Sequence, residues 1–291
     1  MNRRDFLQTM PLSALAARQA GTPTPLRPLL RPAICAYSFR EALQKKTMTY
    51  QDVVRYAVEH NIDGLDLTVY WFPEPVTDAF LLDVKRLAFK LAVEIYSISV
   101  RTEMTQQAPE AQQKEVADIQ KWVDVAEKLG AGHIRVFGGR IPKGATEDQA
   151  AGWAAEVLKR GAEYAARKGV ILGLENHGGV TEKAETIIKI VKQVDSPWVG
   201  INLDTGNFAG NAYAQIQLCL PYAVNAQVKT SIREEAGKSQ PSDWDRIFGM
   251  FAKAGYRGYL ALEYEGKEPP ATAMPRLLKQ LCELGRKYSA A

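Results

Sequence analysis

Apolar and polar residues alternate with a period of two in eight short runs, and each run is followed by a stretch whose apolar residues recur at helical spacing. The alternating runs predict strands over 34–39, 64–67, 93–100, 133–137, 170–175, 199–204, 224–229 and 260–263. The helical spacing predicts helices over 50–59, 80–91, 109–129, 147–167, 182–194, around 212–220, 244–254 and 274–288. Asn61, Gly130 and Gly169 stand where three of those helices should stop. Strict alternation of strand and helix is the pattern of the α/β class, and eight units of it predict a single-domain (β/α)8 TIM barrel. The 291 residues suit that fold, which typically needs about 250.

Composition changes this picture only at the N-terminus. Hydrophobic residues make up 46%, enough for a full core. The formal net charge of +4 comes from residues 1–32, where Arg3, Arg4, Arg18, Arg27 and Arg31 face one acid, Asp5. A neutral body argues against nucleic acid as a partner, because phosphate binding draws on a concentrated basic surface. No apolar run approaches the ~20 residues of a membrane span. Arg3-Arg4-Asp5-Phe6-Leu7 resembles a bacterial twin-arginine export signal, and Pro23, Pro25, Pro28 and Pro32 describe an extended linker. The expected division is therefore an export leader and linker over 1–32 and the barrel over 33–291. The expected location is periplasmic or secreted, with cytoplasmic as the alternative. Cys35, Cys219 and Cys282 show no zinc spacing and read as small buried residues.

Chemistry concentrates at the ends of the last four strands, in the stretches GLENHGG, NLDTGNF, NAQVKT and ALEYEG. Side chains alternate between the two faces of a strand. Val170, Leu172 and Leu174, with their equivalents, must face the helices. Glu175, Asn202, Asp204, Gln227, Lys229 and Glu263 then face the barrel axis, with His177 and Glu265 following by the same parity. Strand ends at the C-terminal mouth are where barrel enzymes place catalytic groups. Carboxylates gathered in one mouth repel, and a divalent cation would relieve the cost of burying them. The competing arrangement is a salt-bridge network with Lys229 and Arg135. Oxygen ligands favour Mn²⁺ or Mg²⁺, and a nitrogen ligand would shift the preference toward Co²⁺ or Zn²⁺.

The order Glu175, Asp204, Gln227, Glu263 on strands five to eight resembles the xylose-isomerase-like barrel superfamily, and within it the sugar phosphate isomerase/epimerase group. LGLENHGG, GINLDTGN and LALEYEG carry the resemblance, which covers roughly residues 33–288. It implies that Glu175, Asp204 and Glu263 bind one divalent metal, with Gln227 in the place of a histidine ligand. It also implies that Glu175 and Glu263 exchange protons with the substrate carbon. Only three histidines are present, too few for the trinuclear zinc cluster of the related endonuclease IV barrels.

The expected activity is metal-dependent isomerisation or epimerisation of a keto-sugar through a cis-enediolate, with Glu175 and Glu263 as acid and base. Lys229, Arg135, Asn202, His177, Glu265 and Trp71 are the candidate substrate contacts, and Tyr37, Phe72 and Phe208 are candidate pocket walls. Two alternatives stand beside it: a lyase acting on a 3-keto-glycoside, and a non-catalytic sugar-binding barrel. Both a monomer and a homo-oligomer are compatible with the sequence.

Overall fold

The computed structural model describes residues 27–289. The twin-arginine-like leader lies outside the described residues. Eight parallel strands close into a barrel: β1 (Leu29–Cys35), β2 (Gly64–Thr68), β3 (Glu94–Ser99), β4 (His133–Phe137), β5 (Ile171–Glu175), β6 (Val199–Asp204), β7 (Ala223–Val228) and, after a hairpin, β10 (Arg257–Leu262). The hairpin strands β8 (Ser231–Glu235) and β9 (Lys238–Pro241) pair only with each other. The helices are α1 (Arg40–Gln44), α2 (Tyr50–Glu59), α3 (Asp78–Lys90), α4 (Pro109–Leu129), α5 (Glu147–Lys168), α6 (Ala184–Val194), α7 (Ala212–Cys219), α8 (Trp244–Lys253) and α9 (Pro270–Ser289). No helix among the described residues is long and apolar enough to cross a membrane.

Local chemistry explains the helix ends. Thr49 with Asp52, and Thr146 with Gln149, form reciprocal capping boxes at α2 and α5. Gly130 and Gly169 end α4 and α5 in the left-handed region, and Asn61 takes the same conformation after α2. The outward residues of the strands, such as Leu65, Ile134, Leu172, Ile201 and Leu260, are buried in one continuous core under the helices. The barrel interior is more polar: Asp66, Ser97, Ser99, His133, Arg135, Asn202, Asn225 and Gln227 are all buried, beside a small separate cluster of Ala33, Cys35, Tyr96, Tyr259 and Ala261.

Two features depart from the sequence expectation. The first strand begins at Leu29, not 34, and residues 36–39 form a 3₁₀ turn. Leu29 to Pro32 pair with Arg257 to Leu260 in β10, so the expected linker supplies half of the strand that closes the barrel. Pro32 is tolerated because the ladder to β2 starts only at Ala33, leaving its missing N–H unneeded on that side. The β8–β9 hairpin and the short α1 also interrupt the strict alternation. Only Ile232 of the two hairpin strands is buried and the rest are mostly polar, so the hairpin carries little of the apolar periodicity that marks the barrel strands.

Candidate active site

The strand ends of β4 to β7 and β10 converge on a chamber of about 120 Å³ at the C-terminal mouth, walled by Tyr37, Tyr70, Arg135, Glu175, Lys229 and Glu263. Its polar floor is a chain of amides. Ser99 Oγ donates to Asp66 Oδ1 at 2.8 Å, and Gln227 Nε2 donates to Asp66 Oδ2 at 3.2 Å. Asn202 Nδ2 donates to Gln227 Oε1 at 3.0 Å, and Asn225 Nδ2 donates to Asn202 Oδ1 at 2.8 Å.

Glu175, at the end of β5, uses both oxygens. Oε2 is 2.9 Å from Arg135 Nε, and Oε1 is 2.7 Å from His177 Nδ1 and 3.0 Å from Asn207 Nδ2. Burial alone would raise its pKa, but Arg135 and His177 outweigh it and hold the carboxyl below its usual value. The His177 ring is half-exposed and stacks on Phe137, with centroids 3.9 Å apart. Arg135 is itself fixed by bonds from Nη1 to Tyr70 Oη and to the Val100 carbonyl.

Lys229 organises the other half. Its Nζ stands 3.5 Å from Asp204 Oδ2 and 3.4 Å from Glu263 Oε1, and it contacts the Glu265 carboxylate. Burial pushes Glu263 up to about 8, with Asp204 and Glu175 adding to the rise against Lys229 and Arg135. Burial likewise pushes Asp204 up to about 6 against the pull of Lys229. Asp204 is aligned by a side-chain brace from the neighbouring strand: Asn176 Oδ1 accepts from the Asp204 N–H, and Asn176 Nδ2 donates to the Asp204 carbonyl, at 2.9 and 2.8 Å. Ser38 does similar work at β10, accepting from the Tyr264 N–H and donating to the Leu262 carbonyl.

The donor set does not fit the divalent ion expected from the sequence. Gln227 is fully buried, and its oxygen is engaged with Asn202 while its nitrogen serves Asp66. Both Glu175 oxygens are taken. An ammonium already lies between Asp204 and Glu263, where a divalent cation would meet like charge. Among the described residues, no three His, Cys, Asp or Glu side chains are grouped to hold a metal ion. The competing salt-bridge arrangement with Lys229 and Arg135 is the one found.

Other expectations shift in detail. Asn202 sits beneath the chamber as a brace for Glu175 and Gln227, not as a wall. Trp71 stacks behind Tyr37 at 5.9 Å and does not line the chamber, while Phe72 and Phe208 are core residues. Arg135, His177, Lys229 and Glu265 do line it. Tyr70, Arg101, Phe137 and Asn207 line it too and were not anticipated. Asp66 was also missed as an interior carboxylate, although the alternation of Leu65, Asp66 and Leu67 carried the signal.

A family model described as a xylose isomerase-like TIM barrel matches residues 54–284. The chain belongs to that family. A mouse protein provisionally named hydroxypyruvate isomerase is 27% identical over 157 residues, which cover 48% of this chain and 56% of the mouse protein. The chain thus matches about half the length of that curated relative. Among solved structures, the IOLI protein with a bound zinc atom superposes with a TM-score of 0.73 at 11% identity, covering 89% of this chain and 98% of that one. The 3-keto-D-glucoside 4-epimerase YcjR from E. coli gives 0.68 at 14% identity, covering 88% and 99%. At these identities the likeness is one of fold, and xylose isomerase-like barrels with isomerase and epimerase names are its structural neighbours.

Proposed function

We propose that this xylose isomerase-like barrel is a sugar isomerase or epimerase that moves a proton beside the carbonyl of a keto-sugar. The observation that supports this reading is one small chamber faced by Glu263 from beyond β10 and by the Glu175–His177 pair from β5, with cations set beside both. Carboxyls whose environments drive their pKa values apart are suited to opposite roles. Glu263, pushed to about 8, holds its proton at neutral pH and can donate it. Glu175 is ionised and has no free oxygen for substrate, so it works through His177. It accepts a hydrogen bond from the Nδ1–H and so leaves Nε2 as the proton acceptor, an orientation logic shared with carboxylate–imidazole pairs generally.

Abstraction of the proton next to the carbonyl leaves an enediolate. Lys229 and the Arg135–Tyr70 pair are the groups that would balance its negative charge. Reprotonation by Glu263 on the other face inverts the carbon, and reprotonation at the neighbouring carbon isomerises the sugar. Expulsion of a neighbouring group from the same enediolate would instead be a lyase reaction, and product identity separates the outcomes.

The test is deuterium incorporation into D-fructose, D-tagatose and 3-keto-glucose in deuterated water, followed by NMR. Exchange beside the carbonyl is the expected result, and it should persist after dialysis against EDTA. Exchange with none of these sugars would defeat the proposal. Loss of exchange with EDTA and its return with Mn²⁺ would show that Lys229 is not the cation the reaction uses.

A further inference from the structure

The catalytic chamber, at about 120 Å³, is smaller than the ~300–1,000 Å³ of ordinary small-molecule sites. It does not stand alone. A cleft of about 500 Å³ lies beside it, and Arg101, Phe137 and His177 line both. A second large cleft, over Arg40 and Tyr264, shares no lining residue with the chamber. We propose that the cleft beyond Phe137 and His177 is a subsite for a second, uncharged sugar ring, so that the substrate is a keto-glycoside rather than a free monosaccharide. This rests on the isomerase reading above and extends it to substrate class.

The cleft is preformed by three loops stitched together by backbone bonds. Met104 N–H donates to the Gly138 carbonyl, and Val180 N–H donates to the Gly139 carbonyl. Glu103 Oε1 accepts from Thr105 Oγ1 and from the Arg140 N–H. Glycines make this closeness available. A Cβ on Gly179 would stand 2.3 Å from the Gly139 carbonyl oxygen, and one on Gly139 would stand 2.4 Å from Glu103 Oε1. At Gly178 a Cβ would meet nothing within 4 Å, which leaves open space on that wall.

The charges of the cleft select a hydroxyl-rich ligand over an anion. Arg101 and Arg140 bring two cations, and Glu103 and Glu115 bring two carboxyls, so the two signs are evenly matched. The Arg140 guanidinium has no partner among the described residues, and that of Arg101 lies over the Tyr70 ring at 3.9 Å. Unspent donors therefore stand beside acidic acceptors. A sugar hydroxyl both donates and accepts and can use each kind. A phosphate only accepts, and it would be brought up against Glu103 and Glu115. The Phe137–His177 stack lines both spaces and forms the step that a linkage between two rings would cross.

The experiment is isothermal titration of the full chain with glucose, glucose 6-phosphate, and the disaccharides trehalose, lactose and cellobiose, none of which needs turnover to bind. At least one disaccharide should bind about tenfold more tightly than glucose or its phosphate, the scale of one or two added hydrogen bonds to charged groups. In Arg140→Ala the ratio of disaccharide to glucose affinity should fall about tenfold. Disaccharides that bind no better than glucose, tighter binding of glucose 6-phosphate, or an unchanged ratio in Arg140→Ala would each overturn the subsite. Tight disaccharide binding without proton exchange on any keto-sugar would leave the subsite standing and remove the isomerase reading. Exchange on monosaccharides without a disaccharide preference would do the reverse.

Discussion

At Gln227 one side chain donates a hydrogen bond to Asp66 and accepts one from Asn202, which a neutral imidazole could match only with both ring nitrogens in the same two places. The residue that the sequence marks as an irregular metal ligand is thus a structural link in the barrel floor. Gln227→His should cost about 1–3 kcal/mol, the price of leaving a buried partner unsatisfied, as read by urea denaturation. Combined with Lys229→Met, which removes the central ammonium, it should create Mn²⁺ binding. That would appear as a metal-dependent rise in Tm that the parent lacks; equal shifts in both proteins would contradict the account of the donor set. Glu263 sets the pH response of activity. Its proton, held up to about pH 8, is lost above that value, so kcat/KM should fall about tenfold per unit on the alkaline side. Glu263→Gln should reduce exchange by at least about 10²-fold with an unchanged circular dichroism spectrum. Fully retained exchange in that variant would remove Glu263 from the mechanism.

His133 belongs to the same scale but bears on stability. Burial, and then Arg135, lower its pKa from 6.5 to about 3, so it stays neutral in the fold beside Ser97 Oγ. The unfolded chain takes up this proton below pH 6.5 and the folded chain does not. Stability should therefore decline as pH falls from 6.5 towards 3, by up to about 1.4 kcal/mol per unit from this residue. A thermal midpoint that is flat across that range in the parent, or equally steep in His133→Leu, would argue against it.

Among the elements, β5 shows how tightly the interior is filled. A Cβ on Gly173 would stand 2.2 Å from His133 Nε2 and 3.1 Å from Asn202 Cβ. Gly173→Ala must then displace the histidine or open the strand, at about 1–3 kcal/mol of overpacking cost. Because Asn202 also braces Glu175, the variant should lose activity as well as Tm; a variant as stable as the parent would mean that the interior has slack. After the first strand, strand positions and inward parity were readable from the sequence because period-two alternation survives wherever one face packs under helices. The β8–β9 hairpin was not, since Ala236 is the one apolar side chain between Ile232 and Pro241 and no alternation can be read there. Nor could parity say where a side chain ends. It placed Gln227, Lys229 and Asn202 on the axis, but which of them reaches the mouth depends on Asp66 and Ser99, contributed from β2 and β3.

For the whole molecule, closure is the quantity at stake. Six register pairs between β1 and β10 seal the barrel, and four of them come from residues that composition alone assigns to a linker. Prolines mislead there because the strand's neighbour on one side begins only after Pro32. Removal of residues through Pro32 should lower Tm by at least about 5 °C relative to removal that stops at residue 26, measured by differential scanning calorimetry; equal midpoints would place the barrel boundary at 33 after all.

The Asn176 brace has a bearing on motion. By bonding to both the N–H and the carbonyl of Asp204, it acts as an extra rung that splices the tips of β5 and β6 into one rigid rim. Half of the mouth, with Glu175, His177 and Asp204, must then travel as a single body. Any breathing that admits a large substrate is left to the turn after β2, where the rings of Tyr70 and Trp71 lean on Tyr37 and on each other. Amide exchange during turnover should quicken along that turn while the spliced rim stays still.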